Sequence, residues 1–200
     1  MKRYLSPIIL GVGLLISAPA QALDFDFSGT ISNHNDVMMF SFTTAGSSDV
    51  TLFTSSWDDG GFDPILGLWG SAGNLIYEQD DGELEDTTSS NSISYDYGYW
   101  DSYYTVTLDA GSYQVSITPY NNFANGSTLA GGFENDSDTP IPIGLWQSAD
   151  DSYDTGNFEF HVLNVAAASQ QVPEPMTIIL LGSGMAGLAI VRRFRNFIIN

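Results

Sequence analysis

From Phe25 to Val162 apolar side chains return at every second residue, and no long stretch keeps the spacing of a helix. Phe25 and Phe27 flank Asp26, Phe40 and Phe42 flank Ser41, Val50 and Leu52 flank Thr51, and Leu66 and Leu68 flank Gly67. Tyr104, Val106 and Leu108 are separated by threonines, Tyr113, Val115 and Ile117 by Gln114 and Ser116, and Phe158, Phe160 and Val162 by Glu159 and His161. Residues 75–77 and 93–95 supply two shorter runs. A period of two marks strands with one buried face. Turn-forming Asp and Gly punctuate the runs at 58–61, 81–82 and 109–111. The last joins two clear runs and reads as a hairpin. Many short strands with such punctuation predict an all-β, jelly-roll-like β-sandwich. Residues 121–157 are loop-rich, with Leu145 and Trp146 as candidates for a strand or a core plug.

Charge divides the chain into a middle and two ends. The Lys and Arg residues are Lys2, Arg3, Arg192, Arg193 and Arg195, whereas every Asp and Glu except Glu174 lies between Leu23 and Gln171. The middle therefore forms no ion pair with Lys or Arg and repels itself. Nucleic acid and anionic membrane surfaces are excluded as electrostatic partners. Cysteine is absent, which removes disulfides, thiol chemistry and Cys-based zinc sites.

Residues 1–22 have the three parts of a secretory signal: Lys2 and Arg3, an apolar run from Ile8 to Ile16, and small residues at Ala20 and Ala22. Signal peptidase is expected to cut after Ala22. At the other end Pro173-Glu174-Pro175 precedes an apolar run from Met176 to Val191 and then the Arg cluster. As a helix that run covers roughly 24 Å, short for a membrane core of about 30 Å. The arginines belong on the cytoplasmic side and the middle outside. Residues 172–200 resemble a PEP-CTERM sorting signal. The resemblance implies a Gram-negative bacterium that makes exopolysaccharide, and transient handling by an exosortase that cuts near Pro173, Glu174 and Pro175. It also implies an inner-membrane anchor before processing, and delivery to the cell surface or extracellular matrix. The expected division is a signal peptide at 1–22, a sandwich at 23–164, a linker at 165–171 and the sorting signal, with its transmembrane helix, at 172–200.

A second resemblance covers residues 25–120. Phe27-Ser-Gly-Thr-Ile31, Phe62-Asp63-Pro64-Ile65-Leu66, Gly73-Asn74-Leu75, Asp80-Asp81-Gly82 and Ala110-Gly111-Ser112-Tyr113 follow in order. The pattern is similar to bacterial pre-peptidase C-terminal-like domains, which implies a small jelly-roll-like appendage without catalysis. The aromatic run 95–104 and residues 121–157 depart from it.

Calcium takes six to eight oxygens from carboxylates and carbonyls and suits an exported acidic domain. Asp58, Asp59 and Asp63 form one acidic loop, and Asp80, Asp81 and Glu83 another; the resemblance implies that both lie at one end of the sandwich and share an ion. The same residues also serve as ordinary turn formers and solubilising acids. Tyr97, Tyr99 and Trp100, mixed with Asp and Ser, suit the stacking of sugar rings in a carbohydrate-binding module for the exopolysaccharide, and equally suit strands and core. His34 falls in a turn and His161 on a strand between Phe160 and Val162, with no nucleophile-elbow pattern, so neither is expected to complete a Ser-His-Asp site. The reading is an exported, non-enzymatic surface or matrix protein, calcium its one candidate cofactor.

Overall fold

The computed structural model describes residues 22–82, 84–146 and 155–171. They form strands β1 (Leu23–Thr30), β2 (Met38–Thr44), β3 (Ser48–Thr54), β4 (Pro64–Gly70), β5 (Leu75–Gln79), β6 (Asp86–Ser90), β7 (Ile93–Tyr97), β8 (Tyr103–Leu108), β9 (Gly111–Pro119), β10 (Asn157–Val165) and β11 (Ala167–Gln170). One sheet has the order β1-β10-β3-β8 and the other β11-β2-β9-β4-β5, with every pairing antiparallel. Strand β1 pairs with β10, β2 with β9, β3 with β8 and β4 with β5, and alternate pairs fall in opposite sheets. This is one long hairpin rolled into two layers, the jelly-roll connectivity. The β6–β7 hairpin is an insertion before β8, and β11 is an added edge. The expected signal and sorting helices lie outside the described residues; among those described, no helix is long and apolar enough to cross a membrane.

The two-residue period explains the core. Phe40, Phe42, Leu52, Leu66, Leu68, Ile117 and Phe160 point inward from both sheets and are essentially inaccessible. Each such side chain contributes roughly 1.5–3 kcal/mol of burial. That sum offsets the repulsion among acids that have no Lys or Arg partner within residues 23–171.

The 109–111 turn is not a hairpin. It carries the chain from β8 in one sheet to β9 in the other. A short link serves a hairpin or a sandwich corner equally, and here β3 takes the edge of β8 while β2 and β4 flank β9. Thr44 fastens the corner: its hydroxyl donates to the Asp109 carbonyl and accepts from Gly111 N–H. The β6–β7 turn is a true two-residue hairpin, with Asn91 and Ser92 at φ 47° and 69°.

Residues 165–171, expected as a linker, hold the end of β10 and all of β11, which pairs with β2 from Ala167↔Thr43 to Gln170↔Phe40. In the 121–146 excursion Trp146 packs on the core and donates its indole N–H to the Tyr120 carbonyl, while Leu145 is exposed.

Candidate functional site

Antiparallel pairing of β4 with β5, registered at Leu66↔Gln79, sets the start of one strand beside the end of the other. Asp63 directly precedes β4, and Asp80 and Asp81 directly follow β5. One carboxylate oxygen of each lies within 4.8 Å of the others. Asp63 is only 2% exposed. The Ser102 hydroxyl, just before β8, sits 2.6 Å from the Pro64 carbonyl and 3.1 Å from that of Gln79, and also contacts the Asp80 carbonyl. One hydroxyl proton serves one of these three acceptors at a time. Three carboxylates thus lie together, next to carbonyls that Ser102 gathers.

The electrostatics follow from that crowding. Burial, then the charge of Asp81, then that of Glu78 raise Asp80 to about 7. Its Oδ1 is buried and makes no hydrogen bond among the described residues. Burial also raises Glu78, against the Ala124 N–H that it accepts and with added repulsion from Glu134. Such a group of oxygens suits either a retained proton or a hard divalent cation.

The other expected ligands lie apart from this trio. Asp58 and Asp59 are exposed in the turn after β3 and line a separate cleft of ≈480 Å³ with Ser55, Glu85, Asp86 and Asp96. The two acidic loops therefore do not meet as one set: Asp63 leaves its loop to join Asp80 and Asp81. Glu83 lies outside the described residues. Asp101, which the sequence suggested only as a polar neighbour of the sugar-stacking aromatics, is fully buried next to Ser102. It accepts from Thr54 Oγ1 at 2.8 Å, Ser56 N at 3.2 Å and Gly98 N at 2.9 Å, and its carbonyl accepts from Gly82 N at 2.7 Å. Burial raises its pKa, opposed by those donors. Asp101 ties together the turns that hold Ser56, Gly82 and Gly98.

Of the aromatic candidates, Tyr97 is buried and stacks on Tyr103 at 4.4 Å. With Phe53, Tyr95 and Leu163 it fills a second, smaller core under the β6–β7 hairpin. Tyr99 is 46% exposed and meets the edge of Trp100, which meets Trp57 at 6.3 Å. Surface stacking is thus available at Tyr99 and Trp100, but not at Tyr97.

The structure also unites three residues that the sequence reading kept apart. His161 lies 2.7 Å from Ser55 Oγ through Nε2 and 2.8 Å from Asp26 Oδ1 through Nδ1.

Beyond β11 the chain enters the tail. A family model for the PEP-CTERM protein-sorting motif matches residues 171–193. The chain carries a PEP-CTERM sorting motif. It includes Pro173, Glu174 and Pro175, which lie outside the described residues, as does Ala20; Ala22 is described and exposed. The PEP-CTERM motif implies export, processing by an exosortase and passage from a membrane-anchored form to the surface. It starts at Gln171, one residue after β11 ends. No curated protein matches the chain.

Proposed function

We propose that the chain is a surface or exopolysaccharide-matrix protein of a Gram-negative bacterium, without catalytic turnover, whose sandwich is organised by a calcium ion. Signal peptidase removes residues 1–22, and β1 starting at Leu23 supports that cut, because the mature chain then begins with its first strand. The observation that carries the calcium reading is the convergence of Asp63, Asp80 and Asp81, with a Ser102-gathered set of carbonyls, in a domain lacking Lys and Arg. The trio would supply carboxylate oxygens, the carbonyls and water the rest. The ion would supply the positive charge that the sequence withholds.

Purified residues 23–171 should melt higher on adding calcium. At a concentration 100-fold above Kd the gain is about 2.7 kcal/mol, or roughly 5–10 °C for a domain of this size. Chelator should reverse it. Identical melting with calcium and with chelator refutes the reading.

A second reading, carbohydrate binding, draws on the exposed Tyr99 and its neighbour Trp100. Loss of glycan-array binding in Trp100→Ala, with melting unchanged, would favour it.

A further inference from the structure

We propose that Ser55 is an activated nucleophile that accepts one acyl group from a neutral or cationic ester. This goes beyond the surface role above and does not rest on calcium.

The pairing register builds the site. Asp26 of β1 lies opposite His161 of β10, and His161 opposite Phe53 of β3. All three face away from the main core, because Phe25, Phe27, Leu52, Phe160 and Val162 beside them face into it. Ser55 stands two residues beyond Phe53, on the same side of the chain. The imidazole stacks on Phe53 at 4.4 Å and meets Tyr95 at 5.0 Å, which fixes its plane. Asp26, as a carboxylate, only accepts, so Nδ1 carries the proton and Nε2 accepts from Ser55. Glu159 Oε2, at 3.4 Å, is the more distant acceptor for that hydroxyl. Nucleophile, base and orienting acid thus stand at the distances that such a relay needs. Ser55 lines the ≈480 Å³ cleft, so a small ester reaches it.

In the step, Ser55 Oγ attacks the ester carbonyl carbon while its proton passes to Nε2. The tetrahedral adduct collapses, the bond to the leaving oxygen breaks, and that oxygen takes the proton from Nε2. The products are an acyl-serine and an alcohol.

Two features limit the chemistry. The N–H of Ser56, next after the nucleophile, and those of Trp57 and Gly98 already donate to Asp101. None of these three is free to hold the oxyanion. An ester with a good leaving group still reacts, but hydrolysis of the acyl-serine meets the same oxyanion without that help and stalls. The cleft is also lined by Asp58, Asp59, Glu85, Asp86 and Asp96, which repel anionic esters.

The full chain in detergent is treated with p-nitrophenyl acetate, and the acetylated residue is located by peptide mass mapping. One acetyl group on Ser55 and one equivalent of nitrophenolate are expected, with no later release. Ser55→Ala should abolish the labelling. Asp26→Asn alters an exposed side chain and should slow the reaction about 100-fold at unchanged melting temperature, through loss of the oriented base. The mono-p-nitrophenyl ester of succinate should react more slowly than the acetate. Acetylation at other residues, or wild-type rates in Asp26→Asn, would overturn the assignment. Continued release of nitrophenolate would overturn the single-event part of it.

Discussion

Between pH 6 and 8, with divalent cations chelated, the sandwich will lose stability, although ordinary carboxylates have finished titrating below that range. The group responsible is Asp80, raised from 3.8 to about 7 by burial first, then by Asp81 and Glu78. A carboxyl with a raised folded pKa binds more protons folded than unfolded. Its contribution is fully present below the unfolded value and disappears as pH climbs through the folded one. A shift of about three units corresponds to roughly 4 kcal/mol. Asp80 is only partly buried, and solvent screening reduces this to about 2 kcal/mol. Of that, roughly a third, a little over half a kcal/mol, falls between pH 6 and 8, or about 1–2 °C in Tm for a domain of this size. Thermal melts followed by circular dichroism, in chelator and in calcium, measure it. Calcium should flatten or reverse the slope, because it binds the carboxylates only when they are deprotonated. Asp80→Asn should remove the Asp80 share of the slope and melt above the wild type at pH 8 in chelator. A wild type more stable at pH 8 than at pH 6 in chelator, or an Asp80→Asn protein with the same slope, refutes the reasoning.

Other perturbations test the fold around the site. Asp101→Ala leaves the Thr54 hydroxyl and the N–H groups of Ser56 and Gly98 without their acceptor, and should cost about 3 kcal/mol in denaturant melts; Asp101→Asn, which keeps one acceptor oxygen, should cost less. Gly67→Ala would put a methyl 2.6 Å from Ser116 Oγ and 3.0 Å from Trp69 Nε1, disturbing the bond between them, at about 1–3 kcal/mol by the same assay. Gly46→Ala meets nothing within 4 Å and serves as the near-neutral control. Because the sorting motif begins where β11 ends, a short Gly-Ser spacer after Gln170 should speed tail processing, seen as a larger processed fraction on immunoblots of cells; an unchanged fraction means that β11 already gives the exosortase access.

What was legible in the sequence was local. Alternation such as Phe158-Glu159-Phe160-His161-Val162 states which side chains share a face, and that holds whichever strand lies alongside. The sorting motif is read as a linear segment, so Pro173, Glu174 and Pro175 needed no fold to be found. Pairing is a different matter. The link at 109–111 has the same residues whether it closes a hairpin or turns a corner, and strands far away in the chain chose the corner. The small polar run after Val165 looked like a linker because its residues bury little, yet β2 had an open edge for its backbone to join. The acid trio depends on the same kind of information: Asp63 is close to Asp58 and Asp59 in sequence but close to Asp80 and Asp81 in space, because β4 and β5 run antiparallel with Leu66 opposite Gln79. Asp26 of β1, His161 of β10 and Ser55, just past the end of β3, come together because those three strands are neighbours only after the long hairpin has rolled. Side-chain periodicity is a property of one strand, whereas the meeting of ionisable groups depends on which strands share hydrogen bonds, and contacts across the whole chain decide that.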